Sequence, residues 1–306
     1  MLHSQPASVV GVRATAPPSL VGATDLYFRP ATLNEALQTL SDHSVQILSG
    51  GTDFYPSLGD RPVTNPVLDI SALRELRGIH HDADFIRIGG LTTWTDVIAA
   101  PLPPCFDALK AAAREVGSIQ IQNRGTVAGN LCNASPAADG VPPLLALDAE
   151  VELVSREGKR RMPLSEFLVG NRKTERRHGE ILTNIYVPRM ASNATSVFLK
   201  LGARRYLVIS ISMVAAVIAT DPQGRVSDAR IAIGSCSATA RRLPEMERAL
   251  IGADARAGLG EIANASDLAA LSPIDDIRAT GAYRRDASLT LVRRAVEACV
   301  QGSTHG

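Results

Sequence analysis

Hydrophobic periodicity along this chain changes order about two-thirds of the way through, and that change constrains the fold more than any other feature. In the first part helical and strand patterns alternate. Thr32 and Glu35 make a capping-box pair, and Leu33, Ala36, Leu37 and Leu40 share one helical face, so a helix is expected from about Leu33 to Leu40. Val45 to Leu48 and Val67 to Ile70 are short apolar runs. Ile86 and Ile88 alternate with Phe85 and Arg87, and Val151 and Leu153 with Glu150 and Glu152, the pattern of half-buried strands. Between them Leu109, Ala112, Ala113 and Val116 mark a helix that Gly117 can terminate. The final third differs. Phe198 to Leu201, Ser212 to Ala219 and Ala229 to Gly234 read as consecutive strands, with Asp221-Pro222-Gln223-Gly224 as a turn. Two helices follow, one from about Pro244 to Leu250 and one with Leu289, Val292, Val296 and Cys299 on a face. The stretch from Pro188 to Thr195 is the expected junction, and there is no internal repeat. At 306 residues the chain can bury a sizeable core and divide into two or three domains.

Composition narrows the partners. Lys and Arg total 32 against 31 Asp and Glu, so no summed field favours nucleic acid or an anionic membrane. The apolar run from Leu207 to Thr220 falls short of the ~20 residues that span a bilayer and reads as buried strand. The first 21 residues, rich in Ala, Pro and Ser, lack a basic start followed by an apolar block and read as an N-terminal extension. Cys105, Cys132, Cys236 and Cys299 are far apart with no C-x-x-C pair, which disfavours zinc or iron–sulfur ligation by this chain and suits the reduced thiols of the cytoplasm. His80-His81 and His178 sit in charged surroundings and read as surface residues.

Two glycine-bearing segments carry the chemistry. In Ile47-Leu48-Ser49-Gly50-Gly51-Thr52-Asp53-Phe54 a strand runs into paired glycines and a polar pair. Glycine lets backbone turn tightly, and successive N–H groups in such a turn make a concavity for an anion such as phosphate. Alone, a strand ending in Gly-Gly reads first as an ordinary turn, and it is not the G-x-G-x-x-G of a Rossmann site. The second segment, Gln122 to Asp139, gathers small residues, hydroxyls and amides with no helical or strand period. A loop of this length is either functional or mobile. If functional, Thr126 and Asn130 can hydrogen-bond a polar ligand and Asp139 can accept from ribose or ribityl hydroxyls.

Together with Phe198-Leu199-Lys200-Leu201-Gly202-Ala203-Arg204-Arg205, these segments resemble, in order and spacing, the FAD subunits of the xanthine dehydrogenase and carbon monoxide dehydrogenase family, the molybdenum hydroxylases. The resemblance covers about Asp25 to Val300. It implies an α+β fold: a two-subdomain FAD-binding domain of the vanillyl-alcohol-oxidase (PCMH) type over 22–190, divided near residue 80, and a C-terminal α/β domain of the CO dehydrogenase flavoprotein type over 195–300.

Position by position, the resemblance implies that Ile47, Leu48, Ser49, Gly50, Gly51, Thr52, Asp53 and Phe54 hold the FAD pyrophosphate through backbone N–H groups. Thr126, Val127, Ala128, Gly129 and Asn130 would form the second wall, and Asp139 would bind cofactor hydroxyls. Leu182 matches a flavin-packing position, and Val116 is a further cofactor-binding position. Lys200 matches a lysine near the isoalloxazine, where its charge could stabilise reduced flavin; a solvated strand residue is the other reading. Cys132 matches a position at the flavin's reactive edge that controls access, or is a small buried hydrophobe with no role. No residue is singled out as catalytic or as a metal ligand.

The chain departs from the family pattern in two places. Ala128 stands where the family has glycine, which is tolerable if the position does not need positive φ. After Arg204-Arg205 the chain reads Tyr206-Leu207-Val208-Ile209-Ser210 instead of Asp-Ile-Ala. The resemblance further implies FAD as the only cofactor, with a molybdopterin-binding large subunit and a 2Fe–2S small subunit as partners in a dimer of heterotrimers. Electrons would pass through the flavin to NAD, a quinone or oxygen. A self-sufficient flavin oxidase of the vanillyl-alcohol-oxidase type and a flavin-free assembly module are the alternatives.

Overall fold

The computed structural model describes residues 27–256 and 258–301; the N-terminal extension read over residues 1–21 lies outside them. The first unit runs β1 (Tyr27–Phe28), α1 (Leu33–Asp42), β2 (Gln46–Leu48), α2 (Phe54–Leu58) and β3 (Val67–Asp69). Its strands form a parallel sheet in the order β1-β3-β2. Helix α1 starts where the sequence requires it: the Thr32 hydroxyl accepts from the Glu35 N–H at 3.2 Å. The Glu35 carboxylate reaches one residue further back, to the Ala31 N–H at 2.8 Å. The apolar face of α1, Ala36, Leu37 and Leu40, packs on Leu68, Leu73 and Leu76 as a small core of its own.

The second unit comprises β4 (Ile79–His81), β5 (Phe85–Gly89), α3 (Trp94–Ala99), α4 (Asp107–Glu115), α5 (Ile119–Gln122), α6 (Val127–Asn133), α7 (Val141–Ala146), β6 (Glu150–Ser155), β7 (Gly158–Pro163), α8 (Leu164–Phe167), β8 (Leu168–Gly170), β9 (Lys173–Thr174) and β10 (Ile181–Pro188). An antiparallel five-stranded sheet has the order β4-β5-β10-β6-β7. Ile185 of β10 stands opposite Ile88 on one side and Val151 on the other, so the alternation read from β5 and β6 places three β-branched side chains in one row facing the core. His80, His81 and His178 are exposed.

The third unit contains β11 (Thr195–Leu201), β12 (Ser212–Thr220), β13 (Val226–Gly234), β14 (Arg241–Arg242), α9 (Pro244–Leu250) and α10 (Gly281–Gln301). Its antiparallel sheet is buried on both faces, and β12 divides its side chains by the period of two. Met213, Ala215, Val217 and Ala219 enter the core of the second unit, and Val214, Ala216 and Ile218 enter a second core under α9 and α10. A strand buried on both sides reads as a continuous apolar run, which is why this segment stands out in the sequence.

Three local readings are corrected. The segment from Gln122 to Asp139 is not devoid of secondary structure: Val127 to Asn133 is helical, but seven residues make barely two turns, too few for an apolar face to repeat. The buried strand begins at Ser212, not at Leu207. Leu207 and Ile209 are more than half exposed, and a left-handed backbone at Leu207 (φ 51°) interrupts any extension of the strand. Val116 packs against the core with Leu109, Ala112 and Ala113 but lies one residue past the end of α4. It is the C-cap, in extended backbone, before Gly117 turns the chain at φ 57°.

Candidate functional site

Strand β2 ends at Leu48, and the chain then bends through Ser49 to Asp53 into the short helix α2. Gly51 takes φ 76°, open to glycine at no steric cost. Among the described residues, none accepts a hydrogen bond from the backbone N–H groups of Gly50, Gly51, Thr52, Asp53 or Phe54. A run of unpaired donors on one turn is the arrangement that receives an anion.

Facing this turn is the start of α6. Thr126 caps it, its hydroxyl accepting from the Gly129 N–H at 3.0 Å. The same hydroxyl lies 3.1 Å from Ser49 Oγ, so one side chain organises the second wall and ties it to the first. Gly50 is where the two backbones meet: a Cβ there would stand 2.8 Å from the Arg124 carbonyl carbon and 3.0 Å from Gly125 Cα. Ala128 lies in helical backbone and is not a positive-φ position, so its methyl is accommodated.

Between the walls lies a cavity of about 980 Å³. Ile47, Leu48, Ser49, Gly50, Gly51, Thr52, Asp53 and Phe54 line it from one side, and Val116, Thr126, Ala128, Gly129, Asn130, Cys132 and Leu182 from the other. The Asn130 Oδ1 is buried and, among the described residues, has no hydrogen-bond partner. Trp94, the sole tryptophan, is buried at the cavity wall with its N–H backbone group donating to the Gly125 carbonyl at 3.2 Å.

Three of the residues singled out in the sequence are not on this lining. Val127 is fully buried in the core, with its backbone N–H committed to the Thr92 carbonyl at 2.9 Å. Asp139 and Lys200 form a buried ion pair at 2.7 Å, and the Ser210 hydroxyl donates to the other Asp139 oxygen at 2.6 Å. Burial pushes the Asp139 carboxyl above its ordinary range, against the opposing pull of Lys200 and Ser210. Lys200 is therefore not a solvated strand residue.

Among the cavity residues that went unread in the sequence are two arginines. Arg172 and Arg176 reach the lining from the β8–β9 hairpin and the turn after it. The Arg172 guanidinium contacts Asn133 Oδ1, and the Arg172 backbone N–H donates to the Ala134 carbonyl at 2.9 Å. Arg176 donates to the Glu180 carbonyl at 3.0 Å. Glu180 in turn accepts from Arg160 Nε at 2.7 Å and from the Arg177 N–H at 2.7 Å. Burial opposes its charge, yet these bonds hold its carboxyl below the ordinary value of 4.5. The charged stretch from Asn171 to Glu180 was the available signal. Burial also pushes the Cys132 thiol up to about 11, so at neutral pH it is an uncharged thiol. Among the described residues no group of three or more His, Cys, Asp or Glu is placed to hold a metal ion, and no helix is long and apolar enough to cross a membrane.

Among the described residues, a turn of unpaired donors thus faces a capped helix across the cavity, and the sequence there is not the G-x-G-x-x-G of a Rossmann site. Residues 21–190 match the family described as the FAD binding domain in molybdopterin dehydrogenase, and residues 198–299 match the CO dehydrogenase flavoprotein C-terminal domain. The nicotinate dehydrogenase FAD-subunit of Eubacterium barkeri is 35% identical over 235 residues, covering 74% of this chain and 79% of that one. A putative xanthine dehydrogenase FAD-binding subunit of Escherichia coli K12 is 33% identical over 281 residues, 90% of this chain and 95% of that one. A chain of the reconstituted CO dehydrogenase from Oligotropha carboxidovorans superposes with a TM-score of 0.85 at 25% identity, over 92% of this chain and 98% of that one. The chain belongs to the family of FAD subunits of the xanthine and carbon monoxide dehydrogenases, an oxidoreductase subunit whose cofactor is FAD.

Proposed function

We propose that this chain is the electron relay of a multisubunit molybdenum hydroxylase, with FAD lying in the cavity between the Ile47–Phe54 turn and the Thr126–Asn130 wall. The observation that carries this reading is the character of the lining. It offers, among the described residues, unpaired backbone donors, an unpartnered amide acceptor and two arginines, with Asp53 as its one carboxylate. That set suits a dianionic cofactor. When bound, FAD supplies the exchange of electrons between a donor that delivers them singly and an acceptor that takes a pair.

The chain's own residues then bind and orient. The N–H groups from Gly50 to Phe54 take the pyrophosphate, and Arg172 and Arg176 lend it positive charge. Asn130 Oδ1 accepts from a cofactor donor, and Val116, Cys132 and Leu182 supply apolar contact. Asp139 and Lys200 sit one step back from the lining as a charged pair that sets the local field. Substrate hydroxylation falls to a molybdopterin-binding large subunit. A 2Fe–2S small subunit delivers the electrons, and NAD, a quinone or oxygen receives them. A cytoplasmic dimer of heterotrimers and boundaries at 22–190 and 195–300 complete the reading.

Purification of the native complex tests it. The expected result is one FAD per chain, released by acid into the supernatant, with molybdenum, iron and two further subunits co-purifying. The substrate should reduce the flavin only in the complex. Flavin reduction by an organic substrate in the isolated chain would establish a self-sufficient oxidase, and a flavin-free native complex an assembly module.

A further inference from the structure

Arg284 lies in the first turn of α10 with its side chain only 4% exposed. Burying a guanidinium is unfavourable unless each donor is matched, and here Nε has no partner among the described residues. The other donors are spent in a particular way. Nη1 donates to the Ile211 carbonyl at 2.6 Å and to the Ser235 carbonyl at 3.2 Å, and Nη2 to Asp276 Oδ1 at 2.8 Å. Ile211 immediately precedes β12 and Ser235 immediately follows β13, and Met213 pairs with Gly234, so one guanidinium clamps adjacent ends of two neighbouring strands.

Both clamped ends reach the turn that carries Asp139. Ser210, next to Ile211, donates to Asp139 Oδ1 at 2.6 Å, and the Ser235 N–H donates to the Pro136 carbonyl at 2.9 Å. The Ile211 N–H also donates to the Leu201 carbonyl at 2.7 Å, beside Lys200. Ser235 holds φ 63°, a conformation that a serine keeps only where its surroundings impose it. Neither Arg284 nor Ser235 touches the cavity.

We infer that Arg284 is a positioning residue: through Ile211–Ser210 and through Ser235 it fixes the Asp139–Lys200 pair toward the flavin. The inference rests on the assignment of Lys200 to the flavin's surroundings. An apolar side chain at 284 would pack as well but would leave two carbonyls free to move, and the pair would lose its fixed distance and direction.

The test uses the full chain loaded with FAD. Lys200→Met, Arg284→Met, Ser210→Ala and the double variant Lys200→Met/Arg284→Met are compared by FAD dissociation constant and flavin midpoint potential. Arg284→Lys, which keeps a donor and a charge, is the rescue. Expected is a shift of the midpoint potential in Arg284→Met in the same direction as in Lys200→Met, about tenfold weaker FAD binding, partial recovery in Arg284→Lys, and a double variant no worse than Lys200→Met alone. Ser210→Ala should reproduce the shift even if Arg284→Met fails to fold. Wild-type potential and affinity in Ser210→Ala, and in Arg284→Met where it folds, with Lys200→Met altered, would overturn the positioning role alone, as would effects that multiply in the double variant. An unaltered Lys200→Met would overturn the flavin assignment beneath it, and the inference with it.

Discussion

Gly50→Ala separates the two walls of the cavity. Its methyl would lie 2.8 Å from the Arg124 carbonyl carbon where ordinary contacts begin near 3.4 Å, a shortfall of 0.6 Å, and nearer still to the carbonyl oxygen. The obstacle is backbone, which has no rotamer to yield with, so the turn and the Arg124–Gly125 segment must move apart. Overpacking of this kind costs about 1–3 kcal/mol. In the cofactor-free protein the walls can open and recover much of that cost; with FAD bound, both must converge on one ligand. The penalty therefore appears in affinity, and at about 1.4 kcal/mol per factor of ten it amounts to roughly a 10- to 100-fold rise in the FAD dissociation constant. Gly51→Ala behaves differently. Its strain arises from φ 76° and the nearest atoms are those of the exposed Tyr55 ring, which can rotate away. A penalty of about 1–2 kcal/mol is then present with or without FAD and lowers the melting temperature more than the affinity. Flavin-fluorescence titration of cofactor-stripped protein, with thermal melts alongside, separates the two. A folded Gly50→Ala variant that binds FAD within twofold of the wild type would refute the reasoning.

Two other outcomes follow from the cavity wall. Cys132→Ala should retain its full flavin content but change the rate at which reduced flavin reacts with oxygen, and Cys132→Trp should slow delivery to the terminal acceptor; matching stopped-flow rates in both would remove any access-controlling role. Glu180 is held below its ordinary value of 4.5, so its contribution to stability is complete above that value and is lost as pH falls through the lower, folded value. Glu180→Gln should accordingly melt lower than wild type near neutral pH and converge with it on acidification. Melting curves that stay parallel from about pH 3 to 7 would contradict that linkage.

How much was legible in the sequence depended on how local each interaction is. The Ile47–Phe54 turn acts over a few residues and lines the cavity, whereas the helix that Thr126 caps is too short to show in the sequence. Arg172 was opaque because its partner Asn133 lies 39 residues away, across a hairpin whose position is set by packing. The run from Leu207 is as apolar as the strand it precedes, and only a left-handed residue, invisible in composition, separates them. The period of α10 marks Val292, Val296 and Cys299 as core and gives no reason to look at Arg284, because a buried guanidinium is recognised by its acceptors and these come from two distant strands. Lys200 and Asp139 could be named from the resemblance, but that they pair with one another emerges only in three dimensions.

Trp94 gives the molecule an optical property of its own. Excited near the red edge of tryptophan absorption, the chain emits from a single site, because no second indole exists to dilute the signal. That indole is buried at the wall of the cavity, beside Gly125. A flavin in that cavity, as proposed, would absorb where tryptophan emits and lie well inside the range of resonance energy transfer, so loading would darken the protein's intrinsic fluorescence and unloading would restore it. In the isolated chain, cofactor occupancy of the proposed site would thus be reported without a label.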